Sequence, residues 1–191
     1  KQPEVAAFFA VYLLLQAAHG PYYVFYSIHL KQLHYSSSLI GQLWALGVMA
    51  EILLFIYMKK LLGVFSLRGI LLSSIFLSMV RWLIIGFAAD SLYWLGSAQL
   101  LHAASFGSAH VAAIHLIHQY FKQQHQCKGQ ALYASLSFGL GGMAGSLFSG
   151  YYWETLGATI VYSVAAVCCL LAFIIAYIWV GTKSLNLLSC Q

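Results

Sequence analysis

Two formal charges stand in apolar surroundings: Glu51 and Arg81. A charged group at the centre of a bilayer costs at least about 2.5–3.5 kcal/mol, so each needs a partner or a purpose. His19, His102 and His110 lie in similar apolar runs, and imidazole takes up and loses a proton near physiological pH. A glutamate whose distance from an arginine changes with conformation can load and release a proton. The competing reading of Glu51 and Arg81 is a static structural ion pair.

These residues need elements that hold them in a membrane. The chain has 191 residues, of which 62% are apolar and 7% charged: nine Lys/Arg and four Asp/Glu. Soluble domains carry about a quarter charged residues, and disordered chains combine low hydrophobicity with high charge, so both classes are excluded. Apolar runs fall at about 5–29, 39–58, 67–88, 92–118, 130–152 and 158–181. Each is long enough to span a bilayer. None alternates strictly, so helices rather than barrel strands are expected. The predicted architecture is an all-α membrane protein, a single six-transmembrane-helix domain over residues 1–191.

With six spans, Lys1, Lys59, Lys60, Arg68, Lys122, Lys128 and Lys183 fall on one side and Lys31 on the other. The positive-inside rule then places both termini in the cytoplasm. The net charge of +5 forms no stripe that would bind nucleic acid. Lys1 begins almost directly at a full-length span, which reads as a piece of a longer chain.

On the first span, Tyr12, Gln16, His19, Tyr23 and Tyr26 recur at helical spacing, a polar stripe that should face protein or a wet cavity. His19-Gly20-Pro21 interrupts that helix, and a kink is expected there. Trp44 lies one heptad before Glu51 on the second span. By rise per residue, Arg81 lies about 10 Å from the outer end, His19 and His102 about 15 Å, and Glu51 about 20 Å, one shared layer. Gly141 and Gly145 form GxxxG on the fifth span, which suits close packing or sliding of helices. The sixth span, with Tyr162, Ser163 and Tyr177 as its main polar groups, should face lipid on most sides. Cys127, Cys168, Cys169 and Cys190 form no CxxC pair, and His115-x-x-His118 lacks a carboxylate or thiol, so neither disulfide framework nor metal site is predicted.

The order Glu51, Met79-Val80-Arg81-Trp82 and Gln99-Leu100-Leu101-His102 resembles the C-terminal six-helix half of the lactose permease branch of the major facilitator superfamily. A nearer likeness is to the phenylpropionic acid transporter group, related to nucleoside–proton symporters. It rests on Ala18-His19-Gly20-Pro21-Tyr22-Tyr23, Leu46-Gly47-Val48-Met49-Ala50-Glu51, Val80-Arg81-Trp82, His102 with His110, and Ala131-Leu132-Tyr133. The resemblance implies half of a 12-helix carrier in the bacterial inner membrane. The other half, or a second subunit, would complete a cavity for a small organic solute: an aromatic acid, a nucleoside or a sugar-like molecule. It implies no cofactor beyond a proton as coupling ion. Glu51, Arg81 and His102 would face the cavity, with Arg81 holding a carboxylate by two prongs and Tyr22, Tyr23, Tyr26 or Trp44 stacking on an aromatic ring. His19, His110 and Gln16 would join the pathway, and Gly20, Pro21, Gly141 and Gly145 would serve packing or gating. In lactose permease a carboxylate follows the histidine by three positions; here that position is Ser105, so proton coupling must use Glu51, a histidine or the other half.

Two other classes compete with this reading. A rhomboid-type protease needs a late-helix histidine, and none follows His125; desaturases need dense histidine clusters, so an enzyme is not expected. A membrane fragment or assembly subunit that transports nothing remains the alternative that composition alone does not separate.

Overall fold

The computed structural model describes residues 2–181. Lys1, Lys183 and Cys190 lie outside them. The described elements are all helical: α1 (Gln2–Gln32), α2 (Ser37–Val64), α3 (Leu67–Phe87), α4 (Leu92–His102), a π turn (Ala103–Gly107), α5 (Ser108–Tyr120), a 3-10 turn (Gln123–His125), α6 (Gln126–Ala134), a second π turn (Ser135–Gly141) and α7 (Gly142–Trp179). Ser36 and Ser66 start α2 and α3 sharply, their hydroxyls accepting from the Leu39 and Gly69 amides at 3.3 and 3.1 Å. α1 and α2 run past the predicted apolar runs, because the backbone ladder continues after the hydropathy falls.

Five continuous helical stretches are long and apolar enough to cross a membrane, and the fifth runs 57 residues, from Gln123 to Trp179. At 1.5 Å per residue that is about 85 Å, far more than a hydrocarbon core of about 30 Å. The stretch turns back on itself at Gly157, whose φ of 75° and ψ of 167° suit a residue without a Cβ. Before the turn, Gly141 and Gly145 lie against Leu13 and Ala17 of α1, running parallel to it. After it, Thr159 donates to the Gly86 carbonyl at 3.0 Å and the Arg68 guanidinium reaches the Tyr177 carbonyl, so this leg runs antiparallel to α3. Six rods result, with α4–α5 as the fourth, α6 through residue 156 as the fifth, and residues 158–179 as the sixth.

Ring contacts fix the ends. Phe8 meets Tyr120 and Tyr133, and the Gly181 amide donates to Tyr120 Oη at 3.2 Å, which gathers the first residues of α1 with the end of α5 and of the sixth rod. At the opposite end Tyr35 Oη donates to the Asp90 carbonyl at 2.8 Å. Burial, then the Asp90 carboxylate, pushes the Tyr35 phenol up, so this donor keeps its proton through neutral pH.

The core lies between α1, α3 and the last two rods, with Phe8, Leu15, Leu71, Ile75 and Ile85 sealed in it. The sixth rod buries one face, with Val161, Tyr162, Ala165, Cys169, Ala172 and Ala176 against the bundle. These mostly small side chains let it lie close to α1 and α3, while Ile160, Val167, Leu170, Leu171, Ile174 and the end from Tyr177 to Trp179 are exposed. α1 continues helically through Pro21.

Candidate functional site

Arg81 projects from α3 and is fully buried. Its Nε donates to the Ala98 carbonyl of α4 at 3.1 Å. Its guanidinium carbon lies 4.1 Å from the centre of the Tyr22 ring and 4.4 Å from that of Trp82, within the range where a cation is drawn to an aromatic face. Both terminal nitrogens, Nη1 and Nη2, are buried with no hydrogen-bond partner among the described residues. Buried donors are almost always satisfied, and this two-pronged cation has the geometry to take an acceptor.

Tyr22 is the hub. Its hydroxyl donates to Gln99 Oε1 at 2.8 Å, and its ring lies 4.7 Å from Trp44 and 5.6 Å from His102. Trp44 Nε1 donates to Ser27 Oγ at 3.0 Å, tying α2 to α1. α2 approaches α4 closely at Gly47, where a Cβ would stand 3.0 Å from Gln99 Oε1.

The histidines flank this hub. His19 Nδ1 lies 2.7 Å from the Leu15 carbonyl; a carbonyl only accepts, so Nδ1 carries the hydrogen and Nε2 offers a lone pair. That Nε2 is buried without a partner. The His19 ring is 4.8 Å from Trp82 and 6.2 Å from His102. His102 Nε2 is 4.0 Å from Glu51 Oε2, at the edge of an ion pair, and the Glu51 side chain is 18% exposed. No salt bridge joins Arg81 to Glu51 among the described residues; His102 stands beside the carboxylate.

The remaining predicted residues are placed as follows. Gln16 is buried on α1, and Tyr12 donates to the Ala109 carbonyl at 2.7 Å. Tyr23 is 49% exposed, with its ring 6.1 Å from His19 and 5.6 Å from Tyr22; the buried stripe runs through Tyr22 and Tyr26, an equally helical spacing. His110 is half-buried, with Nδ1 3.1 Å from Tyr133 Oη. Gly20, Gly141 and Gly145 form the α1 crossing. A Cβ on Gly145 would stand 2.0 Å from the Ala17 carbonyl oxygen, and one on Gly20 would stand 2.5 Å from the Gly145 and Ser146 backbone. Pro21 explains why that carbonyl is accessible: it has no N–H to bond to residue 17, four positions back. Among the described residues, no three metal-binding side chains cluster.

Sequence reasoning left Gln99 and Phe106 outside the site, and it missed both π turns. The turns are real backbone features: Ser108 N–H bonds the Ala103 carbonyl and Gly142 N–H that of Ser137, each five residues back. Such turns are frequent at functional sites. The first places Phe106 in a stack on His102, with centroids 5.2 Å apart. Their small and polar residues gave no signal distinct from ordinary helix packing.

A bundle of apolar helices around a buried cation, two imidazoles and a carboxylate defines a multi-pass membrane protein with an ionic interior. Residues 1–164 match the family described as MFS_1 like, and the chain belongs to that family, within the major facilitator superfamily. It is 36% identical over 160 residues to the probable 3-phenylpropionic acid transporter of Escherichia coli (strain K12), an alignment covering 84% of this chain and 42% of that protein. The chain thus spans less than half the length of that curated relative. No solved structure matches it.

Proposed function

We propose that the chain forms one six-helix half of a 12-helix carrier that moves a small organic solute with a proton across the bacterial inner membrane. The observation that carries this is the fully buried Arg81 fork, unpaired beside Tyr22 and next to the Glu51–His102 pair. An anionic aromatic solute is the favoured cargo: Arg81 takes the carboxylate, and Tyr22 with Trp44 takes the ring. The relative's name, which specifies 3-phenylpropionic acid, points the same way; a nucleoside or a sugar-like solute is the less favoured cargo.

Glu51 carries the proton, with His102 as its neighbour, and His19 and Gln16 line the polar interior. The cytoplasmic end is the one with Lys59, Lys60, Arg68, Lys122 and Lys128, which puts both termini there. A second six-helix bundle, in the same polypeptide or another subunit, closes the cavity. The exposed apolar residues of α2, Met49, Ile52, Leu53 and Ile56, support such a neighbour. Alternating access follows from rocking of the two bundles, with the Gly20–Gly145 crossing as a close pivot.

The test is uptake of labelled 3-phenylpropionate by the full-length protein in right-side-out and inverted vesicles under an imposed pH gradient. The proposal expects gradient-driven accumulation, lost in Glu51→Gln and Arg81→Ala. Accumulation indifferent to the gradient, or unchanged in both variants, counts against it.

A further inference from the structure

His110 sits on the fourth rod past the first π turn, toward the end that holds the start of α1. It is separated from His102 by two apolar rings. Phe106 stacks on His102 at 5.2 Å and 10°. Phe138 meets Phe106 edge-on at 6.3 Å and meets His110 at 6.3 Å. Each phenylalanine is carried by one of the two π turns, Ala103–Gly107 and Ser135–Gly141. The two helix irregularities thus place side chains between the same two imidazoles. Beyond them His110 bonds Tyr133, whose ring is braced 5.2 Å from Tyr12 and 5.7 Å from Phe138. Tyr133 is the titratable group facing His110 and Tyr12 lies behind it; no ion pair reaches His110 among the described residues.

We infer that His110, held by Tyr133, is the station from which a proton leaves the Glu51–His102 pair, and that Phe106 and Phe138 are the gate insulating the two. This rests on reading Glu51 as the proton carrier. Phe138 is 41% exposed on this bundle; once the second bundle of the proposed carrier covers it, the two apolar rings exclude the water a proton needs, as hydrophobic constrictions do in channels. When the π turns shift and the rings part, the O–H bond of the Glu51 carboxyl breaks and an N–H bond forms at His110 Nε2 through intervening water. His110 Nδ1–H then donates to Tyr133 Oη, and the imidazolium gives a proton to water at that end, returning to neutral. The position three residues after His102 holds Ser105, whose hydroxyl only bonds the His102 carbonyl at 3.2 Å, so His110 supplies an acceptor that Ser105 does not.

The test needs no solute. Full-length protein is reconstituted in phosphatidylethanolamine–phosphatidylglycerol liposomes loaded with a pH-sensitive dye, and proton influx is driven by a potassium diffusion potential. Phe106→Ala with Phe138→Ala raises proton conductance about tenfold over wild type, and adding His110→Ala returns it to the wild-type level. No rise, or a rise that persists without His110, overturns the inference. Should the double variant fail to elute as a single species, Phe138→Leu with and without His110→Ala gives the same comparison. Lack of gradient-driven uptake by wild type would instead strike the carrier reading, so the two failures are told apart.

Discussion

α2 and α3 each carry one intramembrane charge, and they hold it differently. In α3, 44% of the spanning window is buried, and Arg81 is enclosed by Tyr22, Trp82 and the Ala98 carbonyl. In α2 only 17% is buried, and Glu51 has His102 at 4.0 Å and partial exposure. The cation is fixed by three rods, while the carboxylate rides on a helix that few neighbours restrain. A carrier needs this division: one charge that defines the site and another whose surroundings change during the cycle.

The largest expected effect comes from removing the fixed charge. Arg81→Ala should weaken solute binding by roughly 30-fold to several thousand-fold, the equivalent of about 2–5 kcal/mol for a buried charged contact. Arg81→Lys should recover little, since an ammonium lacks the two-pronged geometry. Isothermal titration with 3-phenylpropionate measures both; near-wild-type binding by Arg81→Ala would erase the distinction between the two charges.

Next come paired glycine substitutions. Gly145→Ala puts a Cβ 2.0 Å from the Ala17 carbonyl oxygen, against backbone that cannot swing aside, and should cost about 1–3 kcal/mol. Gly47→Ala on α2 meets the Gln99 amide end at 3.0 Å, the far end of a side chain, with the Gln99 carbonyl and the His102 ring at ordinary contact distances of 3.7 and 3.9 Å, and should cost under about 1 kcal/mol. Thermal unfolding in detergent ranks them, and a reversed order would contradict a restrained core beside a loosely held α2.

Tyr22→Phe leaves Gln99 Oε1 without its donor and should cost about 1–3 kcal/mol, whereas Tyr23→Phe on the exposed face should stay within about 0.5 kcal/mol. Trp44→Phe loses the bond to Ser27 and should cost about 0.5–1.5 kcal/mol, which leaves Tyr23→Phe as the smallest effect. The same unfolding measurements check these.

The rods were legible in the sequence because lipid leaves few alternatives to long apolar helices. Glu51, Arg81, His19 and His102 were legible as a set because polar groups at matching depths are costly unless they meet. Choosing Tyr22 over Tyr23 was not legible: both continue the spacing from His19, and only the placement of Gln99 and Arg81 on other rods separates them. The partner of Gly145 was equally hidden, since GxxxG marks a close approach without naming the Ala17 carbonyl it meets. The π turns escaped because Ala103–Gly107 and Ser135–Gly141 carry no residue that an ordinary helix would refuse.

The central claim, that Glu51 is the group that gains and loses the transported proton, is tested most directly by infrared difference spectroscopy of the membrane-reconstituted full-length protein as pH is cycled. The account predicts a carboxyl C=O band that appears and disappears with pH, changes when 3-phenylpropionate is added, and is missing from Glu51→Gln. A wild-type spectrum that Glu51→Gln reproduces band for band would contradict it.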